Sequence, residues 1–452
     1  MSLPAIAIFD VGKTNKKFLI FDEHYKLLEA ESVQLGEMLD EDGFACEDVN
    51  EITKWVNRKF SEVIFRKDID IKAVNFSAYG ASFVYVDAKG KVITPMYNYL
   101  KPFPDRLRKM FYETYGGESK IAKETCSPVL GSLNSGMQLY RLKYEQPEKF
   151  DRVAFAFHLP QYLSRIINDF PASEITSIGC HTTLWDYRKN EYHSWVTKEG
   201  IDKKFPLIIP SSSSIPTTFQ NREVEIGVGL HDSSAALIPY LLSFQEPFVL
   251  ISTGTWCISL NPFDHSELTE SELKQDCLCY LSYEGKPVKA SRLFAGYEHE
   301  QQIKRLAEYF NKGIEHQEVE FNRDIVKKMK TMEDHRQQSF SKRDLHDFSN
   351  YEEAYHALMI DIVQQQVRST NLVLKGTPVK RIFVDGGFGK NQVYMNLLAK
   401  SFPNIEVWSA TTPQASGLGA ALAIHKEWNK NLLPSGMIGL NHFLNTEMNY
   451  ST

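Results

Sequence analysis

A chain of 452 residues is too long for one hydrophobic core and predicts two domains of roughly two hundred residues each. Its 42% hydrophobic and 24% charged residues are those of an ordinary globular protein, and a net charge of −6 argues weakly against nucleic acid as a partner. No apolar stretch approaches the length that spans a bilayer, the N-terminus shows no basic leader, and six scattered cysteines fit reduced thiols, so a cytoplasmic protein without membrane contact is expected.

Residues 5–10, 17–22 and 26–34 read as consecutive strands, followed by a helix over 48–65 with Val49, Ile52, Trp55, Val56, Phe60 and Ile64 at helical spacing. Ile71–Ser77 and Phe83–Asp87 predict further strands, and 104–170 a mostly helical region. The prolines and serines of 205–220 predict a loop, Glu223–Gly229 a strand, and the Ser/Ala-rich stretch 233–242 a helix. Strand signals restart at 248–252 and 256–260, an echo at the scale of a domain that divides the chain into halves, 1–243 and 244–452. In the second half, 291–311, 351–374, 391–401 and 415–428 read as helices, and 381–385 and 405–408 as strands. The polar segment 312–350 reads as a surface insertion with no chemistry assigned to it.

Two turns carry the clearest chemistry. Asp10-Val11-Gly12-Lys13-Thr14-Asn15-Lys16-Lys17 and Ser252-Thr253-Gly254-Thr255-Trp256 each lie between two apolar runs, which predicts strand, Gly turn, strand with hydroxyls at the turn. Such turns aim backbone N–H groups at an anion, so the pair reads as two parts of a phosphate clamp that holds a nucleotide between related lobes. Asp10, at a strand end, is a candidate Mg²⁺ ligand; Gly12 allows close approach, and Lys13, Thr14 and Lys17 offer donors or charge. Asp232, within Gly227–Ser234, is either a helix cap or a general base for a substrate hydroxyl.

Asp385-Gly386-Gly387-Phe388-Gly389-Lys390-Asn391 is either a bed for adenine and ribose or a plain strand-to-helix turn capped by Asn391. The small residues 415–421 suit close helix packing or a flat face against a nucleotide. His158, His181 and His231 lack metal-pair spacing, Cys277-Leu-Cys279 is too tight for zinc, and neither a Walker P-loop nor a Gly-x-Ser-x-Gly elbow is present.

In this order the motifs resemble the FGGY carbohydrate kinase family. Asp10-x-Gly12-x-Thr14-x-x-Lys17 is similar to its first phosphate segment, with Lys13 in place of the more usual Thr, and Gly229-x-His231-Asp232 to its catalytic-base segment. His231-Asp232 followed by Ser252-Thr-Gly-Thr-Trp256 is closest to the rhamnulokinase and fuculokinase branches; Gly386-Gly387-x-x-x-Asn391 and 415–421 match the adenosine-side motifs. His158-Leu-Pro160-x-Tyr162-Leu163, Glu174-Ile-Thr176-Ser177 and Trp185-Asp186 resemble an N-lobe helix and the loop after it.

The resemblance implies an α/β protein with the two-lobed, actin-like ATPase (ribonuclease H-like) fold and duplicated domains. It implies ATP and Mg²⁺ as cofactors, with Asp232 as base and Asp10 at the metal. Gly12, Lys13, Thr14, Asn15, Lys17, Thr253, Gly254 and Thr255 would face phosphate, and Gly386, Gly387 and Asn391 the adenosine. Tyr79, Gly80, Ala81 and Ser82, with His231 and Asp232, would face the sugar. That pocket departs from the family pattern: Ala81 and Ser82 stand where a polar or acidic residue is common, and the usual Asp and Arg are replaced within Tyr97–Pro102.

The expected reaction is transfer of the γ-phosphate of ATP to a hydroxyl of a ketose: L-rhamnulose, L-fuculose or a pentulose such as xylulose. A homodimer is left open. Two alternatives stand beside it: a non-catalytic nucleotide- or sugar-sensing protein on the same fold, and an NAD-dependent dehydrogenase resting only on the glycines at 386–389.

Overall fold

The computed structural model describes residues 2–313, 319–331, 339–411 and 414–444. The chain forms two compact units. The first comprises residues 1–243 together with 265–288 and 414–437; the second comprises 244–264, 289–413 and 438–452.

The first unit is built on a mixed sheet. Strand β1 (Leu3–Val11) is buried from Ala5 onward, as a central strand covered on both faces must be. It pairs antiparallel with β2 (Lys16–Asp22), which pairs antiparallel with β3 (Leu27–Val33), an edge strand whose residues alternate between exposed and half-buried. On its other side β1 runs parallel to β4 (Ile69–Ala78). Beyond β4 come β5 (Ser214–Phe219) and β6 (Arg222–Gly227), and a short β7 (Leu230–His231) lies against the C-terminal end of β4.

The helix Val49–Ile64 starts where Asp48 caps it, accepting from Asn50 N at 2.8 Å, and buries the apolar stripe expected of it. Helices Asp232–Ser243 and Ala415–Ala423 close a core with Ile6, Ile8, Leu19, Phe21 and Leu230. Small residues make that contact: a Cβ on Gly419 would stand 1.8 Å from Ala235 O. A second core gathers around Phe83, Phe111, Tyr140 and Trp195.

The second unit repeats the plan. Strand β8 (Phe248–Thr253) pairs antiparallel with β9 (Cys257–Asn261), and β9 antiparallel with β10 (Pro287–Leu293). On its other side β8 is parallel to β11 (Arg381–Gly386), and β11 to β12 (Glu406–Ala410), with β13 (Leu440–Phe443) antiparallel at the edge. Both units thus share one order: a central strand between an antiparallel meander and a parallel neighbour.

Two expectations need correction. The segment 205–220 is not all loop: Ser214–Phe219 pairs with Arg222–Gly227 as a hairpin, its strand character hidden by Pro216 and the serines. Residues 291–293 finish strand β10, so the helix begins at Ala295. Within 312–350, residues 314–318 and 332–338 lie outside the described residues, and a helix Arg323–Thr331 runs between them. All six cysteines are free thiols, and among the described residues no helix is long and apolar enough to cross a membrane.

Candidate active site

The turn between β1 and β2 closes with Gly12 N donating to Asn15 O at 3.0 Å. The antiparallel register sets Asp10 opposite Lys17, with Lys17 Nζ 3.5 Å from Asp10 Oδ2. The same oxygen accepts a hydrogen bond from Ser416 Oγ at 2.9 Å, from a residue 406 positions away. Asp10 is buried, and Oδ1 has no hydrogen-bond partner among the described residues. One buried carboxylate with a free oxygen fits Mg²⁺, which keeps several waters and takes other ligands from substrate phosphate. The described residues contain no cluster of three His, Cys, Asp or Glu able to hold a metal unaided.

Thr14 and Asn15 are exposed at the tip. The Lys13 ammonium lies 3.2 Å from Glu37, whereas Lys16 turns inward: its ammonium donates to Lys13 O at 2.9 Å and pairs with Glu47. The second oxygen of Glu47 accepts from the Tyr79 hydroxyl, and burial pushes the Tyr79 phenol well up, keeping it a donor. Lys16, Glu47 and Tyr79 are all buried. A closed polar chain therefore ties the turn Gly12–Asn15 to the first residue of the segment 79–82.

That segment leaves β4 next to the candidate base. In the sheet register Asp10 pairs with Ser77, and Ser77 with Leu230, so Asp10 and Leu230 flank β4 on parallel strands, about 10 Å apart across two strand spacings. Ala81 sits at φ +66°, a left-handed conformation unusual for alanine, and Gln138 Nε2 donates to its carbonyl at 2.6 Å. A Cβ on Gly80 would stand 3.0 Å from the ring of His231, so glycine there lets the turn lie against that ring. His231 is buried, which pushes its pKa down, while the adjacent Asp232 pulls it up. Burial raises the neighbouring Cys180 thiol to about 12, so it is inert at neutral pH.

Asp232 is the first residue of its helix. Its Oδ1 accepts from Ser233 N at 2.6 Å and Ser233 Oγ at 3.3 Å, and stands 3.4 Å from His231 Nε2. Oδ2 has no partner among the described residues, and the side chain keeps 32% of its surface exposed. A carboxylate held by one oxygen and open at the other can accept a proton from a hydroxyl.

In the second unit the turn after β8 closes with Gly254 N donating to Trp256 O at 2.9 Å. Thr253, Gly386 and Gly387 come together there. The Thr253 hydroxyl donates to Asp385 O and accepts from Phe388 N at 3.1 Å, while Gly387 N donates to Thr253 O at 3.3 Å. Gly386 has φ +87°, and a Cβ on it would stand 1.8 Å from Thr253 O; only glycine lets these strands end side by side. Thr255 O accepts from Tyr297 N at 3.1 Å. Asn391 caps the helix Gln392–Ser401, accepting from Tyr394 N at 2.9 Å and donating to Tyr355 OH at 2.6 Å.

The sequence of this chain matches the N-terminal domain of the FGGY family of carbohydrate kinases over residues 5–238 and the carbohydrate kinase FGGY C-terminal domain over 245–431. It belongs to the FGGY family of carbohydrate kinases. As an FGGY kinase it is a phosphotransferase that uses ATP with Mg²⁺ and a sugar acceptor, and the dehydrogenase alternative falls. Solved structures of similar fold include a carbohydrate kinase from Novosphingobium aromaticivorans (20% identity, 98% of this chain and 95% of that one covered, TM-score 0.78). A ligand-bound xylulose kinase from Lactobacillus acidophilus (16%, 98% and 94%, 0.79) and a glycerol kinase from Plasmodium falciparum with ADP (15%, 96% and 92%, 0.74) are also similar. At these identities the likeness is one of fold, the two-domain actin-like ATPase fold. No curated protein matches the chain.

The sequence assigned no role to Lys16, Glu47 or Gln138, and it counted Ser416 among the adenosine-side motifs, whereas the structure sets Ser416 on Asp10 within the first unit. Lys16 and Lys17 look alike in sequence, and only strand register decides which is buried. The pairing of Ser416 with Asp10 had no local signal, since the two residues lie at opposite ends of the chain.

Proposed function

We propose that this FGGY kinase phosphorylates a hydroxyl of a neutral ketose, with L-rhamnulose, L-fuculose and a pentulose such as xylulose as the candidate acceptors. The observation that carries the reading is Asp232: one oxygen is held and the other is open, beside the turn 79–82 and two strands from Asp10. Asp232 Oδ2 takes the proton of the acceptor hydroxyl as that oxygen attacks the γ-phosphorus. Asp10 holds Mg²⁺, which when bound offsets charge on the phosphates. Lys17 and the amides of Lys13, Thr14 and Asn15 add donors in the first unit; in the second Thr255 does so, on a turn that Thr253 and Gly254 hold in shape with their own hydrogen bonds. In this reading residues 1–243 carry acceptor and base, and 244–452 the adenosine, bedded on Gly386 and Gly387 and reached by Asn391.

The cations near the acceptor turn support a neutral sugar over an acidic one. Lys101 Nζ is 2.6 Å from both Asp40 and Asp42, and Arg141 is 3.1 Å from Asp42 and 2.6 Å from Glu145. A carboxylate-bearing acceptor calls for a cation that is not already neutralised. The test is Asp232→Asn with a panel of ketoses, polyols and aldonates. Turnover on the best ketose should fall by about 10²–10⁴-fold, with binding of a non-hydrolysable ATP analogue nearly intact. Near-normal turnover in the variant sinks the assignment of the base, and ATP binding without turnover on any acceptor points to the sensing alternative.

A further inference from the structure

Residues Gly227–His231 lead into the helix that begins with Asp232, yet the ladder with β4 holds them at few positions. Side chains satisfy much of their backbone instead. Ser164 Oγ donates to Gly227 O at 2.7 Å, Asn75 Oδ1 accepts from Gly229 N at 3.1 Å, and Gln161 Nε2 donates to Gly229 O at 2.8 Å. Nearest the base, His231 N donates to Thr176 Oγ1 at 3.0 Å. These four side chains are buried.

Thr176 is itself fixed by a buried carboxyl group. Its hydroxyl has one proton, which goes to Glu174 Oε2 at 2.6 Å, leaving a lone pair for the His231 amide. Glu174 is fully buried and accepts also from Thr176 N at 2.9 Å, Ser177 N at 3.1 Å and the Ser211 hydroxyl. Burial pushes the Glu174 pKa up while these donors pull it down, and a buried carboxyl group that left them would strand its oxygens and four donors without water to replace the bonds. The arrangement also gives Ser211, within a serine run otherwise without chemistry, a definite partner. β7 is thus gripped on two edges, with Leu230 and His231 paired to Ser77 and Ala78 on one side and Thr176 on the other.

We propose that Thr176, anchored by Glu174, is a positioning residue for the catalytic base: the chain from the Glu174 carboxyl group through the Thr176 hydroxyl to the His231 amide fixes where Asp232 leaves the sheet and starts its helix. The proposal rests on the reading of Asp232 as the base. A base must meet its proton within hydrogen-bond reach, and a displacement of about 1 Å can cost 10²-fold in rate. Thr176→Val keeps the shape and removes both hydrogen bonds, whereas Thr176→Ser keeps the hydroxyl.

The experiment compares wild type, Thr176→Val and Thr176→Ser as full-length protein. Three quantities are read: kcat and KM on the best ketose, binding of a non-hydrolysable ATP analogue, and hydrogen exchange of the peptide containing His231 and Asp232. Thr176→Val should lower kcat about 10- to 100-fold per folded molecule, leave ATP-analogue affinity within about twofold, and speed exchange at His231 by tenfold or more; Thr176→Ser should restore all three. Unchanged exchange in Thr176→Val overturns the clamp. Faster exchange with unchanged kcat overturns its role in positioning the base. If wild type turns over no acceptor, the kinase reading of Asp232 fails, and positioning fails with it, while the exchange data still report whether the clamp exists.

Discussion

Replacing Lys16 by Met tests whether the phosphate turn is pinned from inside. The side chains of Lys16 and Glu47 keep only 3% and 5% of their surface exposed, so solvent cannot replace the lost counter-charge. Removing one partner of a buried pair costs about 3–5 kcal/mol, a large share of the roughly 5–15 kcal/mol that holds a typical domain folded. Adding Glu47→Leu removes the stranded carboxylate; the Tyr79 hydroxyl is then without its acceptor, a penalty of about 1–3 kcal/mol, while Lys13 O on the partly exposed turn has lost the ammonium in both variants. Adding Tyr79→Phe removes that too. Urea titrations followed by tryptophan fluorescence should therefore rank Lys16→Met as least stable, the double variant as intermediate and the triple as nearest wild type. Trp55, packed edge-on at 5.4 Å against Phe9 of β1, is a local reporter. A loss below about 1 kcal/mol for Lys16→Met, or a double variant weaker than the single, refutes the reasoning, since neither fits an uncompensated buried charge.

Ser416→Ala removes one of the two groups on Asp10 Oδ2 and should raise the Mg²⁺ concentration for half-maximal rate about tenfold; Mn²⁺ binding with ADP, followed by electron paramagnetic resonance, should weaken alongside, and unchanged binding counts against it. Gly386→Ala combines a left-handed φ, about 1–2 kcal/mol, with a backbone clash of about 1–3 kcal/mol, and should weaken ATP-analogue binding tenfold or more by calorimetry. His158 supplies a pH signature. Burial pushes its pKa down to about 3, so the folded ring stays neutral while the unfolded one takes a proton below about 6.5. Its contribution is intact above that value and is lost as pH falls from there toward 3; at pH 5 the loss is about 2 kcal/mol. His158→Gln should lose that much less stability than wild type between pH 7.5 and 5, and equal losses contradict the burial argument.

What the sequence made legible was local and periodic. The two Gly turns, the central strands and the helices 49–64 and 351–374 carry their own patterns of spacing and capping, and each is where the pattern puts it. Ser214–Phe219 was not legible, because its strand character comes from pairing with Arg222–Gly227 and not from composition. Within the candidate site, Asp10 and Asp232 announce themselves as carboxylates at element ends. Their surroundings do not: Ser416 on Asp10, Glu47 between Lys16 and Tyr79, and Thr176 on the His231 amide are joined across long stretches of chain. The small residues of 415–421 could suit packing or a nucleotide face; the packing is plain once Gly419 is seen against Ala235, a contact that sequence does not encode locally.

The return of residues 414–437 to the first unit has a consequence for biogenesis. Asn75 Nδ2 donates to Ala420 O at 2.8 Å, closing a loop of 345 residues around the strand that leads into the turn 79–82. At a synthesis rate of 5–20 residues per second, the ribosome needs roughly 20–70 s to supply the second half of that contact after the first. During this interval the face of Ile8 and Leu19 against which Gly417 will lie has no cover from the helix Ala415–Ala423. The unit carrying Asp232 therefore completes its core only after residues 414–437 have left the ribosome.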